Sequence, residues 1–325
     1  MSDISLPTIE DVRSAAERLD GKAVKTPLLE SPLLNERLGC RLLIKPEPLQ
    51  RTGSFKFRGA YNKISRIPEE QRSGGVVAYS SGNHAQGVAA AAQLLGMPAL
   101  IAMPKDAPDI KVANTKAYGA EVVFFDRFGE SREELGERLV KERGATLVRP
   151  YDDPMIIAGQ GTVGLEVAAQ AKDMDASIDA FLAPCGGGGL ISGSALALAS
   201  DSPNTQIYSV EPVGFDDTAR SLAAGERVIN KPEAKSICDA LLAPEPGKLT
   251  FQLNAKLLKG GFAVSDDMAR EAMCIAFDYL KLVVEPGGAV ALAAVLAQRI
   301  DVQGKTICVV LSGGNVDGSV FKEGI

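Results

Sequence analysis

The sequence predicts an α/β protein of two domains, each built on a mostly parallel sheet covered by helices. Short runs rich in Val, Ile and Leu alternate with longer stretches that have the apolar period of an amphipathic helix. Continuous apolar strands separated by helices are typical of parallel sheets buried on both faces. The chain has 325 residues. A single core usually stops growing at about 250–300 residues, so two domains are expected.

Short apolar runs predict eight strands, at residues 41–45, 76–79, 99–103, 121–125, 146–149, 180–183, 207–210 and 306–311. Helical periodicity predicts helices at residues 9–19, 83–95, 109–118, 131–143, 161–171, 191–199 and 266–279, with a further helix-like stretch at 57–64. Strand–helix repeats concentrate between about residues 70 and 150. We therefore expect a small domain of residues 66–150, inserted in a large domain formed by residues 1–65 and 151–325.

Composition narrows the classes of function. The net charge is −6 and the pI is near 5.1, so no general attraction to nucleic acid or anionic membrane is expected. The five cysteines are far apart and include no C-x-x-C pair, which is typical of a reducing compartment. The N-terminus lacks an apolar signal core, and residues 87–103 are interrupted by Gln93, Gly96 and Pro98. A cytoplasmic protein is expected.

One lysine lies in an unusual setting. Lys56 stands in "RTGSFKFRGA" (51–60), between a small-residue turn with Phe55 and the start of a helix. A lysine amine is nucleophilic only when neutral, and burial lowers its pKa toward that state. The alternative is an exposed lysine at a helix start. His84 is the only histidine, so proton transfer falls to a lysine, a carboxylate, a serine or a cofactor.

Three strand–helix junctions are rich in small residues: "YSSGNHAQG" (79–87), "APCGGGGLISG" (183–193) and "LSGGNVDG" (311–318). In the second, Gly186, Gly187, Gly188 and Gly189 leave backbone N–H groups unshielded at a helix N-terminus, which suits a phosphate better than a flexible linker would. In the first, Ser80, Ser81 and Asn83 suit a carboxylate, with helix capping as the alternative. The third is a simple turn if taken alone.

Two cofactors account for a phosphate site. Gly187-x-Gly189 followed by Glu211 imitates a dinucleotide fingerprint and favours an NAD-dependent oxidoreductase. That interpretation explains neither Lys56 nor the other two loops. A phosphorylated aldehyde held by the glycines and joined to Lys56 as a Schiff base explains both, and pyridoxal phosphate has this chemistry.

The motifs "GSFKFRGA" (53–60), "SSGNHAQG" (80–87), "CGGGGL" (185–190) and "SGGN" (312–315) occur in this order, with "AGQGT" (158–162) and "EPGGA" (285–289) among them. With this set the sequence resembles, over nearly its whole length, the serine/threonine dehydratase and serine racemase family, which includes 3-hydroxyaspartate dehydratases. The resemblance implies a homodimeric pyridoxal-phosphate enzyme of fold type II, the tryptophan-synthase-β fold.

The resemblance also implies roles for individual residues. Lys56 would form the Schiff base and accept the α-proton, with Phe55 beside the cofactor ring. Asn83 would bind the phenolic oxygen, Ser312 would face the pyridine nitrogen, and the phosphate would lie on Gly186 to Gly189. The substrate carboxylate would occupy the loop of Ser80, Ser81, Gly82, Asn83 and His84, with Ser81 as the acid or base on the opposite face.

A divalent-cation site is implied as well. Glu211, Asp217 and the carbonyl of Phe215 would bind Mg²⁺, Ca²⁺ or Mn²⁺, with a solvated acidic turn as the alternative. The implied reaction is α,β-elimination of a β-hydroxy amino acid to a 2-oxo acid and ammonia, with L-threonine or L-serine as the default substrate.

Three further outcomes stay open. A 3-hydroxyaspartate, which would give oxaloacetate, would need a cation for its second carboxylate; Arg132 is a candidate, with a surface salt bridge as its alternative role. Racemase activity is the second. The third is a catalytically silent binding protein on the same fold. Since the sequence ends soon after "SGGN", no regulatory extension and no feedback inhibition by isoleucine are expected.

Overall fold

A computed structural model describes residues 5–80, 82–126 and 129–324. Its larger sheet contains β1 (Leu29–Glu30), β2 (Arg41–Pro46), β7 (Ala180–Pro184), β8 (Gln206–Pro212), β9 (Gly260–Val264) and β10 (Thr306–Leu311). The strand order is β1-β2-β10-β7-β8-β9, and every pair is parallel except β1 with β2. The last strand, β10, therefore lies in the middle of this sheet.

The smaller sheet is formed by a continuous part of the chain. It contains β3 (Val76–Tyr79), β4 (Ala99–Pro104), β5 (Glu121–Phe125) and β6 (Thr146–Leu147), in the order β5-β4-β3-β6. All three pairs are parallel. The α/β prediction with two parallel sheets is thus confirmed, whereas the domain boundaries at residues 65/66 and 150/151 stay predictions.

The helices cover both faces of both sheets. They are α1 (Ile9–Leu19), α2 (Pro32–Leu38), α3 (Lys56–Ile64), α4 (Asn83–Leu94), α5 (Asp109–Ala117), α6 (Arg132–Arg143), α7 (Pro154–Asp173), α8 (Gly189–Asp201), α9 (Asp217–Ala224), α10 (Lys248–Leu257), α11 (Asp266–Leu280), α12 (Pro286–Leu296) and α13 (Gly318–Gly324). Alternate residues of the larger sheet's strands pack on α11 and α12 on one side and on α7 and α8 on the other. The strong apolar runs of the sequence are the buried strands themselves.

All eight predicted strands and all seven predicted helices are present, but α7 begins well before residue 161. Its glycines hide it from a search for periodicity, because they serve backbone contact rather than an apolar stripe. A Cβ on Gly159 would lie 2.6 Å from the Arg58 carbonyl oxygen, and one on Gly161 would lie 2.7 Å from that of Gly193. Helix α7 thus packs backbone to backbone on α3 and α8, which fixes the helix that begins with Lys56.

The sequence analysis missed β1, β9 and the helices α2, α9, α10, α12 and α13. Helix α12 is buried on every side, so it has no polar face to give it a period. Strand β9 begins with two glycines, and a Cβ on Gly261 would lie 2.4 Å from Ser209 Oγ. In the described part of the chain, no helix combines the length and apolar character that crossing a bilayer requires. Cys40, Cys185, Cys238 and Cys308 are buried free thiols.

Candidate active site

A cavity of about 580 Å³ lies between the carboxyl ends of the two sheets. Ligands bind at this edge in parallel α/β sheets because loops and helix N-termini converge there. The cavity brings together ten of the residues proposed from sequence: Phe55, Lys56, Ser80, Asn83, His84, Gly186, Gly187, Gly188, Gly189 and Ser312. Gly82 lies in the same loop but does not line the cavity, and Ser81 lies outside the described residues.

Lys56 begins α3 and is held by the turn before it. Ser54 forms a β-bridge with Gly313, and the Phe55 N–H donates to the carbonyl of Ser312 at 3.2 Å. These bonds tie the lysine turn to the "SGGN" loop, which therefore does more than reverse the chain. The position of Lys56 is fixed by the end of β10.

The Lys56 amine is part-exposed to the cavity yet lies deep below the protein surface. Its Nζ donates to the carbonyl of Pro150 at 2.8 Å, and the Phe55 ring centroid is 5.1 Å away. Desolvation lowers the pKa of Lys56 to about 8, with the negative charge of Glu285 acting in the opposite direction. A useful fraction of the amine is therefore neutral near physiological pH, as an amine nucleophile requires.

The tetraglycine loop leaves β7 and enters α8 at Gly189. A Cβ on Gly187 would lie 2.3 Å from the ring of Tyr151, and one on Gly189 would lie 2.3 Å from Gln160 Oε1. Thr250 Oγ1 anchors the loop by donating to the Gly187 carbonyl at 2.7 Å. The loop has no room for side chains, and its N–H groups precede a helix N-terminus, the setting that binds phosphate.

The surroundings of His84 favour the neutral form of its ring. Desolvation and the nearby charge of Lys56 lower the pKa of His84 to about 3. Because the Val148 carbonyl can only accept, the contact at 2.9 Å places the proton on His84 Nε2. A Ser-His-Asp triad through this ring finds no support, since the buried ring nitrogen Nδ1 has no hydrogen-bond partner among the residues that the structure describes. Its loop is closed by the Gly82 N–H, which donates to Ser80 Oγ at 3.0 Å.

Sequence reasoning missed the ion cluster next to Asn83. Asn83 Nδ2 donates to Glu285, and Asn83 Oδ1 accepts from Asn315 Nδ2 at 2.9 Å. Lys111 Nζ lies 2.9 Å from Glu285 Oε2 and 2.7 Å from Asp239 Oδ2. Glu285 had a signal in "EPGGA". Lys111 had none, because a lysine in an amphipathic helix reads as a solvated residue.

Arg132 begins α6 and makes the salt bridge that the sequence analysis gave as its alternative role. Its Nε donates to Glu133 Oε1 at 2.7 Å, and the guanidinium lies 5.5 Å from the ring centroid of Tyr79. It also lines the cavity, as do Tyr79 and Tyr151. Desolvation lowers the pKa of Arg132, but the hydrogen bond to Glu133 and the electrostatic interactions with Tyr151, Glu133 and Tyr79 together raise it. A fixed cation therefore faces the cavity.

Glu211, Phe215 and Asp217, the residues proposed for a cation, do not line the cavity. Glu211 is fully buried, and its two oxygens accept from the N–H groups of Thr218 and Ala219 at 2.9 and 2.8 Å. Asp217 is also fully buried, so the alternative of a solvated acidic turn is wrong. As Glu211 faces the start of α9, it cannot serve as the acidic residue of a dinucleotide site beside the glycines.

Two buried carboxylates near each other need a cation or a proton. Burial raises the pKa of Asp217 to about 7, and burial with the charge of Asp217 raises the pKa of Glu211 well above its usual range. Asp217 Oδ2 has no hydrogen-bond partner within the described part of the chain. No group of three or more His, Cys, Asp or Glu side chains with metal-site spacing occurs in the described residues. A cation here would need the carbonyl ligand and water.

Known proteins share this architecture. A family model described as "Pyridoxal-phosphate dependent enzyme" matches residues 20–313. An L-threo-3-hydroxyaspartate ammonia-lyase of Saccharomyces cerevisiae is 43% identical over 96% of this chain and 94% of its own. An L-threonine ammonia-lyase of Thermotoga maritima is 41% identical over 95% of this chain and 76% of its own. The solved structure of maize serine racemase has a TM-score of 0.92 and 39% identity, over 98% of this chain and 97% of its own.

These similarities confirm the predicted family and fold, while the NAD-dependent alternative finds no support. The sequence and structure similarities both extend over nearly the whole chain and include the residues that line the cavity. It belongs to the family of pyridoxal-phosphate dependent enzymes, together with ammonia-lyases and serine racemases.

Proposed function

We propose that the protein is an ammonia-lyase that converts a 3-hydroxyaspartate to oxaloacetate and ammonia with pyridoxal phosphate. The single observation that carries the choice of substrate is Arg132, a cation that lines the same cavity as Lys56. The 43% identity to the yeast L-threo-3-hydroxyaspartate ammonia-lyase supports it. L-Threonine or L-serine is the second candidate, supported by the Thermotoga maritima L-threonine ammonia-lyase.

The residues of the cavity fit pyridoxal phosphate. Gly186 to Gly189 would hold the phosphate on their N–H groups, and Asn83 has an amide N–H available for the phenolic oxygen. Lys56 would bind the aldehyde carbon, Phe55 would flank the ring, and Ser312 would face the pyridine nitrogen. Bound pyridoxal phosphate supplies an electron sink for the negative charge that develops at the substrate α-carbon.

Lys56 is the proton acceptor in this proposal. Its amine has a pKa near 8, which places it close to the operating pH that an efficient base requires. The substrate α-carboxylate would be held by the loop of Ser80, Ser81, Gly82, Asn83 and His84. With its pKa lowered to about 3, the ring of His84 is too weak a base to compete with Lys56 for the proton.

The second carboxylate of the substrate would pair with Arg132. A guanidinium binds a carboxylate through two parallel hydrogen bonds, which fixes orientation as well as charge. Loss of hydroxide from the β-carbon gives an enamine, and hydrolysis of its imine tautomer yields the 2-oxo acid and ammonia. Threonine has a methyl group in place of this carboxylate, so Arg132 would stay paired with Glu133 when threonine binds.

Other features of the protein enter as parts of the same proposal. Glu211, Asp217 and the Phe215 carbonyl would bind Mg²⁺, Ca²⁺ or Mn²⁺ through oxygen ligands, which the orphan oxygen of Asp217 favours. Residues 66–150 would form a small domain against a large one of residues 1–65 and 151–325. We also propose a cytoplasmic homodimer. Ser81 would supply the second acid or base if the enzyme also racemises its substrate.

The experiment is an assay of the purified protein on threonine, serine and the four 3-hydroxyaspartate stereoisomers, with Mg²⁺ and with chelator. Keto-acid release and loss of optical activity are followed together. We expect oxaloacetate from one hydroxyaspartate at a higher kcat/KM than 2-oxobutanoate from threonine. A yellow protein that releases no keto acid from any of these would be the catalytically silent member of the family, and the proposal would be wrong.

A further inference from the structure

Lys111 is a buried cation to which the proposed reaction gives no role. It lies on α5 and is 1% exposed. Its ammonium group contacts Asp239 Oδ2 at 2.7 Å and Glu285 Oε2 at 2.9 Å. A buried lysine is stable only when paired, and here two carboxylates provide the pairing. The three side chains, called here the Lys111 cluster, form one electrostatic unit.

The Lys111 cluster joins the two halves of the cavity. Helix α5 leads from β4 to β5 of the smaller sheet, whereas Glu285 caps α12, which packs on the larger sheet. Between them the aliphatic part of Lys111 crosses the loop 80–84: a Cβ on Gly82 would lie 2.1 Å from Lys111 Cδ. Position 82 therefore requires glycine, because any side chain there would collide with Lys111.

Glu285 connects Lys111 to Asn83. One Glu285 oxygen faces Lys111, and the other accepts from Asn83 Nδ2. The Asn83 Oδ1 is taken by Asn315 Nδ2, which also donates to the Thr52 carbonyl at 2.7 Å. Both ends of the Asn83 amide are therefore fixed. An amide nitrogen carries two hydrogens, so one N–H remains for a ligand in the cavity that Asn83 lines.

We infer that Lys111 is a positioning residue for the cofactor, which holds Glu285 so that Asn83 presents its remaining N–H to the phenolic oxygen of pyridoxal phosphate. The inference rests on the proposed function and deepens it, since it gives a role in cofactor binding to Lys111, which does not contact the reacting atoms. Lys111 itself acts only through Glu285 and Asn83.

Electrostatics support the same chain of contacts. Burial raises the pKa of Glu285, and Lys111 acts in the opposite direction. Burial alone would lower the pKa of Lys111, but Glu285 and Asp239 outweigh it and raise that pKa. Without the lysine, Glu285 would take up a proton. A neutral acid is a weaker acceptor than a carboxylate, so the Asn83 amide would be held less firmly.

The test compares Lys111→Met, Lys111→Arg, Glu285→Gln and the double variant Lys111→Met/Glu285→Gln as holoenzymes. The main readout is the visible absorption spectrum of the bound cofactor, which responds to a donor at its phenolic oxygen. We expect Lys111→Met to shift the band and to lower kcat on the order of tenfold, as loss of an oriented hydrogen bond does. Lys111→Arg keeps the charge and should keep the band. In the Glu285→Gln background, removal of Lys111 should change nothing further.

Two controls match the perturbation. Lys45 is also fully buried, with its Nζ 2.6 Å from Glu166 Oε2, and among the described residues it makes no hydrogen bond to Glu285, Asn83 or Asn315. Lys45→Met should lower thermal stability and leave the band in place. Lys116 is exposed on the same helix as Lys111, and Lys116→Met should leave both unchanged. A band shift in Lys45→Met equal to that in Lys111→Met would overturn the inference, because it would report general destabilisation.

A second comparison applies if Lys111→Met fails to fold. Asp239 is part-exposed and shares Lys111 without touching Asn83, so Asp239→Asn should keep the band while Glu285→Gln shifts it. An equal shift in both variants would refute the path through Glu285. Failure of the proposed function is distinguishable, because the wild-type protein would then keep its visible band but release no keto acid. A wild-type protein without the band, or a band retained in Lys56→Ala, would overturn both the proposed function and the inference.

Discussion

Substrate choice depends on one contact, the pairing of Arg132 with a second carboxylate. The perturbation is Arg132→Gln, which removes the charge and keeps the first part of the side chain. In the structure the guanidinium already donates to Glu133 at 2.7 Å, and the Arg132 side chain is 36% exposed. The substrate carboxylate therefore competes with Glu133 and with water for the same donors.

The strength and exposure of this contact set the expected loss of kcat/KM in Arg132→Gln. A hydrogen bond to a charged group is worth about 1.5–3 kcal/mol, and partial exposure favours the lower end. Because about 1.4 kcal/mol corresponds to tenfold, we expect kcat/KM for 3-hydroxyaspartate to fall by about 10–30-fold. The value for threonine should stay within about twofold, since its methyl group makes no such pair. Glu133→Gln should act in the opposite direction by releasing the guanidinium.

The assay measures initial rates of keto-acid release from both substrates at several concentrations. Arg138→Gln is the matched control, because Arg138 lies on the same helix, is 64% exposed and pairs with Glu142 at 3.8 Å. It should leave both kcat/KM values unchanged. An equal loss for both substrates in Arg132→Gln would contradict the reasoning, since the arginine would then support the cavity rather than select the substrate.

Three further predictions concern the cofactor and the cation. Gly187→Ala should abolish the visible band of the cofactor, because the new Cβ would overlap Tyr151 at 2.3 Å; the spectrum after dialysis against pyridoxal phosphate measures this. Uptake of the cofactor by apoprotein should speed up as pH rises and level off above about 8, because the neutral amine of Lys56 predominates above its pKa; a midpoint above 10 in stopped-flow absorbance would contradict the lowered pKa. Mg²⁺ should raise the Tm of chelator-treated wild-type protein but not that of Asp217→Asn, and an equal rise in both would place the cation elsewhere.

Much of the cavity was predictable because its residues are consecutive. Gly186 to Gly189 and the loop 80–84 follow apolar strands directly, and loops after parallel strands meet at one edge of a sheet. Lys56 does not follow a strand directly, and its place near the glycines was predicted from Schiff-base chemistry and from the resemblance to a known family. In the structure the β-bridge between Ser54 and Gly313 holds Lys56 in place, and no local sequence pattern predicts that bridge.

Other parts of the site could not be predicted for physical reasons. Lys111 looks like any lysine on an amphipathic helix, and its burial depends on carboxylates that follow it by more than a hundred residues. Tyr151 was missed because a tyrosine in a loop has no signature until the glycines it covers are in place. Helix α12 was missed since complete burial removes the polar face on which periodicity depends.

The central place of β10 has a consequence for biosynthesis. This strand is made last among the strands, yet it pairs with both β2 and β7 in the larger sheet. The turn before Lys56 is completed only when Gly313 bonds to it. A nascent chain on the ribosome therefore holds an incomplete larger sheet until residue 313 has left the exit tunnel. A premature stop before β10 would leave β2 and β7 with open edges that invite aggregation.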